Sequence, residues 1–154
     1  MTMGVFRNFF YNYVLSVTVV AWGSAQILKT IFTYIATNKI KLERLVGAGG
    51  MPSAHSAMVC SLAIAVARSS GFSSVDFAIA FALALIVMYD AMGVRRAAGE
   101  QAKILNKLVE DKKKIENDES ECTKELQEFL GHTPLEVLGG ALLGILVAML
   151  IPVN

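Results

Sequence analysis

Four runs of this chain are too apolar to face water, and they limit its fold more than any other feature. Residues 11–37 carry one charge, Lys29, and residues 56–68 carry none until Arg68. Residues 75–92 have an acid near each end, Asp76 and Asp90, and residues 134–152 have Glu136 alone. The first run is long enough for a hydrocarbon layer roughly 30 Å thick, whereas the second nears the lower limit of roughly 17 residues only with the preceding Pro-Ser-Ala-His as its first turn. Lone strands cannot satisfy their backbone in lipid, so all four runs are read as helices. With 55% hydrophobic and 18% charged residues among 154, the chain is more apolar than a soluble domain of this size. The expected fold is all-α: one integral membrane helical bundle over 1–154, with about four spans near 11–37, 53–69, 74–92 and 133–152.

The hydrophilic block, 93–131, lies between the third and fourth spans. Ala98, Ala102, Leu105, Leu108, Val109 and Ile115 recur there at helical spacing. Glu110 sits four residues before Lys114, a supporting pair. The stretch Glu-Asn-Asp-Glu-Ser at 116–120 breaks this pattern, and Asp118 with Glu121 reads as a fresh capping box. A helical hairpin is expected, its thin apolar stripe lying on the protein or on the membrane surface, while the plainer reading makes most of the block a solvated charged connection. Lys39, Lys41 and Arg44 fall in the connection after the first span. Arg95, Arg96, Lys103, Lys107, Lys112, Lys113, Lys114 and Lys124 fall in the one after the third, and only Arg7 and Arg68 stand opposite. The positive-inside rule places both connections in the cytoplasm. Gly23–Ala25 resembles a signal-peptide cleavage site, but the apolar run continues to Ala36, so a span is expected. Two cysteines, Cys60 and Cys122, form neither a disulfide framework nor a metal site.

On the cytoplasmic side this topology gathers the unusual polar residues. Arg44, Ser53 and His55 stand where the second span begins, Asp90, Arg95 and Arg96 where the third ends, and His132 and Glu136 where the fourth begins. Ionisable groups at helix ends facing a bundle suggest a functional site. A helix start offers free N–H groups and a positive dipole end to an anion. Gly47, Gly49 and Gly50 let backbone approach it, Ser53 can donate a hydroxyl, and arginines match phosphate oxygens with forked donors. Two histidines make a phosphoryl-transfer pair, one attacking phosphorus and the other protonating the leaving oxygen. Neither a metal nor another cofactor is required.

These residues resemble a known family. The Pro-Ser-Ala-His at 52–55 is similar to the Pro-Ser-Gly-His motif of the type 2 phosphatidic acid phosphatases, which share a site with vanadium haloperoxidases. The stretch 131–144, starting Gly-His-Thr-Pro-Leu-Glu, resembles their third motif. Gly-Gly-Met-Pro-Ser-Ala-His and Tyr-Asp-Ala-Met-Gly-Val-Arg-Arg, at 49–55 and 89–96, look most like the divergent bacterial branch. The resemblance implies a nucleophilic His132 passing through a phosphohistidine, with Glu136 hydrogen-bonding its ring. It also implies His55 as general acid, with Ser53 and Gly50 holding phosphate oxygens. The substrate implied is a phosphorylated lipid, a phosphate or pyrophosphate, in a bacterial membrane, and the charge count puts the site at its cytoplasmic face; no nucleic-acid partner is expected. The pattern also departs. Leu126 stands where the family has the arginine of its third motif, neither Lys39 nor Lys41 has an arginine seven residues on, and Ala54 and Glu136 replace a glycine and an aspartate. Arg44, Arg95 and Arg96 are candidates for the missing charge.

Plainer readings stand beside these. Thr133, Pro134 and Glu136 also form a good helix start, so Glu136 is either a cap or an orienting group. Arg95 and Arg96 could anchor lipid headgroups, and Asp90 could cap or support one of them. Lys29 either snorkels or faces the bundle. Gly140 and Gly144 serve a homodimer as readily as the core. Two functions follow: a metal-independent membrane phosphatase, or an inactive relative that binds or transports a phosphorylated lipid.

Overall fold

The computed structural model describes residues 12–38, 50–116 and 132–153, without the side chains of residues 36, 94–96 and 110–116. The described residues form an all-α bundle: α1 (Tyr13–Thr37), α2 (Ala54–Ser70), α3 (Val75–Met92), α4 (Val94–Glu116) and α5 (Pro134–Leu150). Four of the helices start at a residue whose side-chain oxygen accepts from a backbone N–H of the first turn: Asn12, Ser53, Ser74 and Thr133. Such caps satisfy donors that the helix itself leaves free.

The shortest and least oily of the apolar runs became the centre. Helix α2 presents Ala54, Ala57, Ala63, Ala65 and Ala67 as buried residues, and α1, α3 and α5 each lie against it. Small side chains allow that crowding, and a helix walled by protein needs neither the length nor the oiliness of one facing lipid. Its neighbours turn large apolar side chains outward, among them Ile27, Ile35, Ile79, Ile86, Leu142 and Leu150. Such a surface marks a membrane protein. The stretch Tyr13–Ile35 is long and apolar enough to cross a membrane, as is Val75–Val109, where α3 leads through Gly93 into α4. Helix α5 is apolar but shorter.

Packing sets the directions. Val17 meets Ala65 and Ala148, while Ala25 meets Ala54, Ala57 and Leu143. Helix α1 is therefore antiparallel to both α2 and α5, which run parallel to each other. At one end of the bundle the Arg68 guanidinium donates to the carbonyls of Ala148 and Ile151 and to the Tyr13 hydroxyl. That supplies donors to the carbonyls α5 leaves open at its C-terminus.

Gly140 and Gly144 are spent inside this chain. A Cβ on Gly140 would lie 2.2 Å from the Ser53 carbonyl oxygen, and one on Gly144 would lie 2.2 Å from that of Ala57. Of the two uses open to these glycines, a homodimer or the core, this face serves the core, because α2 already occupies it. Helix α4 follows the spacing read in the hydrophilic block. Ile104, Leu105, Leu108 and Val109 are exposed along it. The expected second arm of the hairpin lies outside the described residues.

Candidate functional site

Two backbone hydrogen bonds, each far-reaching in sequence, bring three helix ends together. The Ser53 N–H donates to the Glu136 carbonyl at 2.9 Å, joining the cap of α2 to the first turn of α5. The His132 N–H donates to the Ala91 carbonyl at 3.1 Å, joining the approach to α5 to the last turn of α3. A carbonyl in a last turn has no acceptor role within its own helix, so His132 fills a vacancy that α3 leaves. The absent side chain of Gly140 makes the first contact achievable: one turn past Glu136, the Ser53 backbone rests where a Cβ would be.

Glu136 makes both the cap contact and the ring contact, through one atom. Its Oε2 lies 3.0 Å from the Thr133 N–H and 3.0 Å from His132 Nδ1. The Thr133 hydroxyl in turn accepts from the Glu136 N–H, completing a capping box. An ionised carboxylate only accepts, so Nδ1 carries the proton and Nε2 of a neutral ring keeps its lone pair. His132 is 3% exposed. Its ring is held by the carboxylate and its backbone by α3, which leaves Nε2 as the ring nitrogen with a free lone pair.

Thr133→Ala separates cap from chemistry. Removing the hydroxyl should cost about 1 kcal/mol of stability. The Glu136–His132 contact uses no atom of that hydroxyl, so any activity should stay within about threefold of wild type; thermal unfolding and turnover check the two halves.

Ser53 is fully buried, and its hydroxyl accepts from the Ser56 N–H and from the Ser56 hydroxyl at 3.0 Å. Its own proton is the hydrogen-bonding capacity those contacts leave over. Gly50 has φ +92°, a conformation that favours glycine. His55 lies in the first turn of α2 with an exposed side chain. It precedes Val59, Leu62 and Val66 by helical spacing, and the last two of these pack toward Ala80 and Phe77 of α3. His55 thus belongs to the α3 side of α2, the side on which Ala91 holds His132. Asp90 is half-buried at the end of α3. Arg95 and Arg96 occupy the first turn of α4, their side chains outside the description, and Arg44 lies outside the described residues. The structure therefore assembles Ser53, Asp90, His132 and Glu136 at one end of the bundle, with His55 exposed in the first turn of α2.

Beside this junction is an apolar groove of about 640 Å³, lined by Leu85, Ile86, Met88, Tyr89, Asp90, Met92 and Val137. Its one charged lining residue adjoins Ala91, and Val137 adjoins Glu136. Sequence reasoning did not find this groove, because it arises only where α3 meets α5. Lys29 is 2% exposed, so it faces the bundle instead of snorkelling.

The model of the divergent PAP2 family matches residues 10–147. The membrane protein YuiD of Bacillus subtilis (strain 168) is 40% identical over 148 residues, covering 91% of this chain and 94% of its own. No solved structure matches.

Proposed function

On the premise that this chain belongs to the divergent PAP2 family, we propose that it is a membrane phosphatase acting on a lipid phosphate or pyrophosphate through a phosphohistidine. The observation that carries this reading is the His132 Nδ1 to Glu136 Oε2 contact at 3.0 Å, inside a junction of helix ends. It leaves Nε2 as a lone-pair donor next to the positive ends of α2 and α5. In the first step Nε2 bonds to phosphorus and the bond to the leaving oxygen breaks. His55, protonated, gives that oxygen its proton. In the second, water gives a proton to the now neutral His55, its oxygen bonds to phosphorus, and the N–P bond breaks to release phosphate. The N–H groups at the helix starts and the Ser53 hydroxyl stabilise the charge on the equatorial oxygens, with Arg44, Arg95 and Arg96 as candidate cations. The groove along α3 suits an acyl or prenyl chain held beside the phosphate.

The test is phosphate release by the detergent-purified chain from a panel of lipid phosphates and pyrophosphates, with chelator present. Release would establish the activity and name the substrate class. A folded protein that binds these lipids without turnover would favour the second reading, a relative that binds or transports them. The observation favouring that alternative is Leu126 in place of the family arginine.

The excess of Lys and Arg in the connections on the site's side supports a cytoplasmic site. Cys60 is buried, which leaves Cys122 to report topology. A membrane-impermeant maleimide should label Cys122 in inverted vesicles and not in intact cells. The reverse pattern would place the site outside.

A further inference from the structure

Among the described residues, helix α4 lies against α3 and against no other helix. By helical spacing, Ile104, Leu105, Leu108 and Val109 share one side of it. All four are exposed, from 41% to 61%. Lys103 and Lys107, one turn apart and also exposed, stand on the opposite side. Over its whole length α4 holds seven Lys and Arg against four Asp and Glu. It is thus strongly two-sided, not oily overall, and basic.

Its position selects what covers the apolar side. The 18 residues of α3 rise about 27 Å and use up the roughly 30 Å hydrocarbon layer, so α4 begins at the layer's edge. That edge is the site's, because the last turn of α3 holds the His132 N–H. Gly93, at φ −100° and ψ −73°, departs from regular helix values and interrupts the two helices there, which allows a change of direction. It stays in the right-handed region, so helical phase carries through. Ile86, exposed on α3, stands eighteen residues before Ile104, five full turns, and the lipid-facing side of α3 leads into the stripe of α4. A helix of low overall hydrophobicity with a wide apolar side and lysines opposite it lies in the plane of the membrane interface. Charge then selects the lipid. The excess of cations favours anionic headgroups and disfavours a second, equally basic α4.

We propose that α4 is an interfacial helix that docks on an anionic phospholipid surface at the site's end of the bundle. Ile104, Leu105, Leu108 and Val109 sink among the headgroups. Lys103 and Lys107 stay in water, and since the helix is only about 10 Å across, they remain within about one Debye length of the lipid phosphates. Met92 and Asp90 line the groove and immediately precede α4, so the docked helix gathers anionic lipid at the groove's mouth. This goes beyond the phosphatase reading and does not need it.

The test places a nitroxide on single cysteines of the full chain, with Cys122→Ser in the background and Cys60 left buried. The labelled variants are Ile104→Cys, Leu108→Cys and Lys107→Cys, reconstituted in phosphatidylcholine vesicles with or without phosphatidylglycerol. With phosphatidylglycerol, oxygen dissolved in lipid should relax the labels at 104 and 108, at about 5–10 Å below the phosphates. A water-soluble nickel chelate should relax the label at 107. Depth at 108 should shrink in phosphatidylcholine alone, and also when Lys103→Gln and Lys107→Gln are added. Chelate reaching 104 and 108 as readily as 107 would overturn the proposal in favour of a solvated helix. Neither reagent reaching 104 and 108 would overturn it in favour of cover by residues 117–131 or by a second copy. Equal depth in both vesicles would overturn the choice of anionic lipid.

Discussion

Gly140→Ala should pry α2 from α5 and dismantle the junction in which His132 sits. The new Cβ would lie 2.2 Å from the Ser53 carbonyl oxygen and 3.0 Å from the Ser56 Cβ. The first clash is with backbone, so no rotamer relieves it; one of the two helices must move. Overpacking in a tight core costs about 1–3 kcal/mol, and the upper part of that range is expected where only backbone can yield. The shift would also stretch the 2.9 Å bond from the Ser53 N–H to the Glu136 carbonyl, so turnover should fall with stability. Gly144→Ala, at 2.2 Å from the Ala57 carbonyl oxygen, should destabilise comparably but further from the site. Gly23→Ala is the control. Nothing lies within 4 Å of its Cβ, and alanine improves helix propensity by about 1 kcal/mol, so its effect should be neutral or stabilising. Thermal unfolding in detergent ranks the three. Equal behaviour of Gly140→Ala and Gly23→Ala would refute the close approach of α2 and α5.

His132→Ala should abolish phosphate release, by at least about a thousandfold, because a nucleophile has no substitute within the site. Its fold should survive, since the backbone bond from residue 132 to the Ala91 carbonyl needs no imidazole. Glu136→Gln should be milder: its carbonyl oxygen can still accept from the Thr133 N–H, while a neutral amide holds Nδ1–H less firmly than a carboxylate. A drop on the order of tenfold to a hundredfold in kcat is expected, with little change in unfolding. His55→Ala should fall most with poor leaving groups such as a lipid alkoxide and least with an aryl phosphate, which departs without a proton. Turnover that persists in His132→Ala would sink the phosphohistidine mechanism. Turnover lost in His55→Ala equally for every leaving group would remove its role as the acid.

Much of this site was readable in the chain because its parts are local. Thr133, Pro134 and Glu136 specify a helix start by themselves, and Glu136 stands one turn from His132 wherever α5 docks. Ser53 as a cap is equally local. The groove along α3 was hidden, since Leu85, Ile86 and Met88 read as ordinary lipid-facing residues until Val137 is set beside them. Lys29 carried a signal, a single charge in an apolar run, but its orientation depends on where α2 and α5 lie.

From sequence alone came the all-α class, the apolar runs and the gathering of polar groups at helix ends, because hydropathy, caps and helical periodicity act over a few residues. Tertiary structure decided the questions that two helices answer jointly. It spent Gly140 and Gly144 on α2 instead of on a second copy, and buried Lys29 while exposing His55. It also let one carboxylate oxygen serve both the Thr133 cap and the His132 ring. The physical reason is shared: a side chain's neighbours across an interface are set by close packing and register, which no local run of residues encodes.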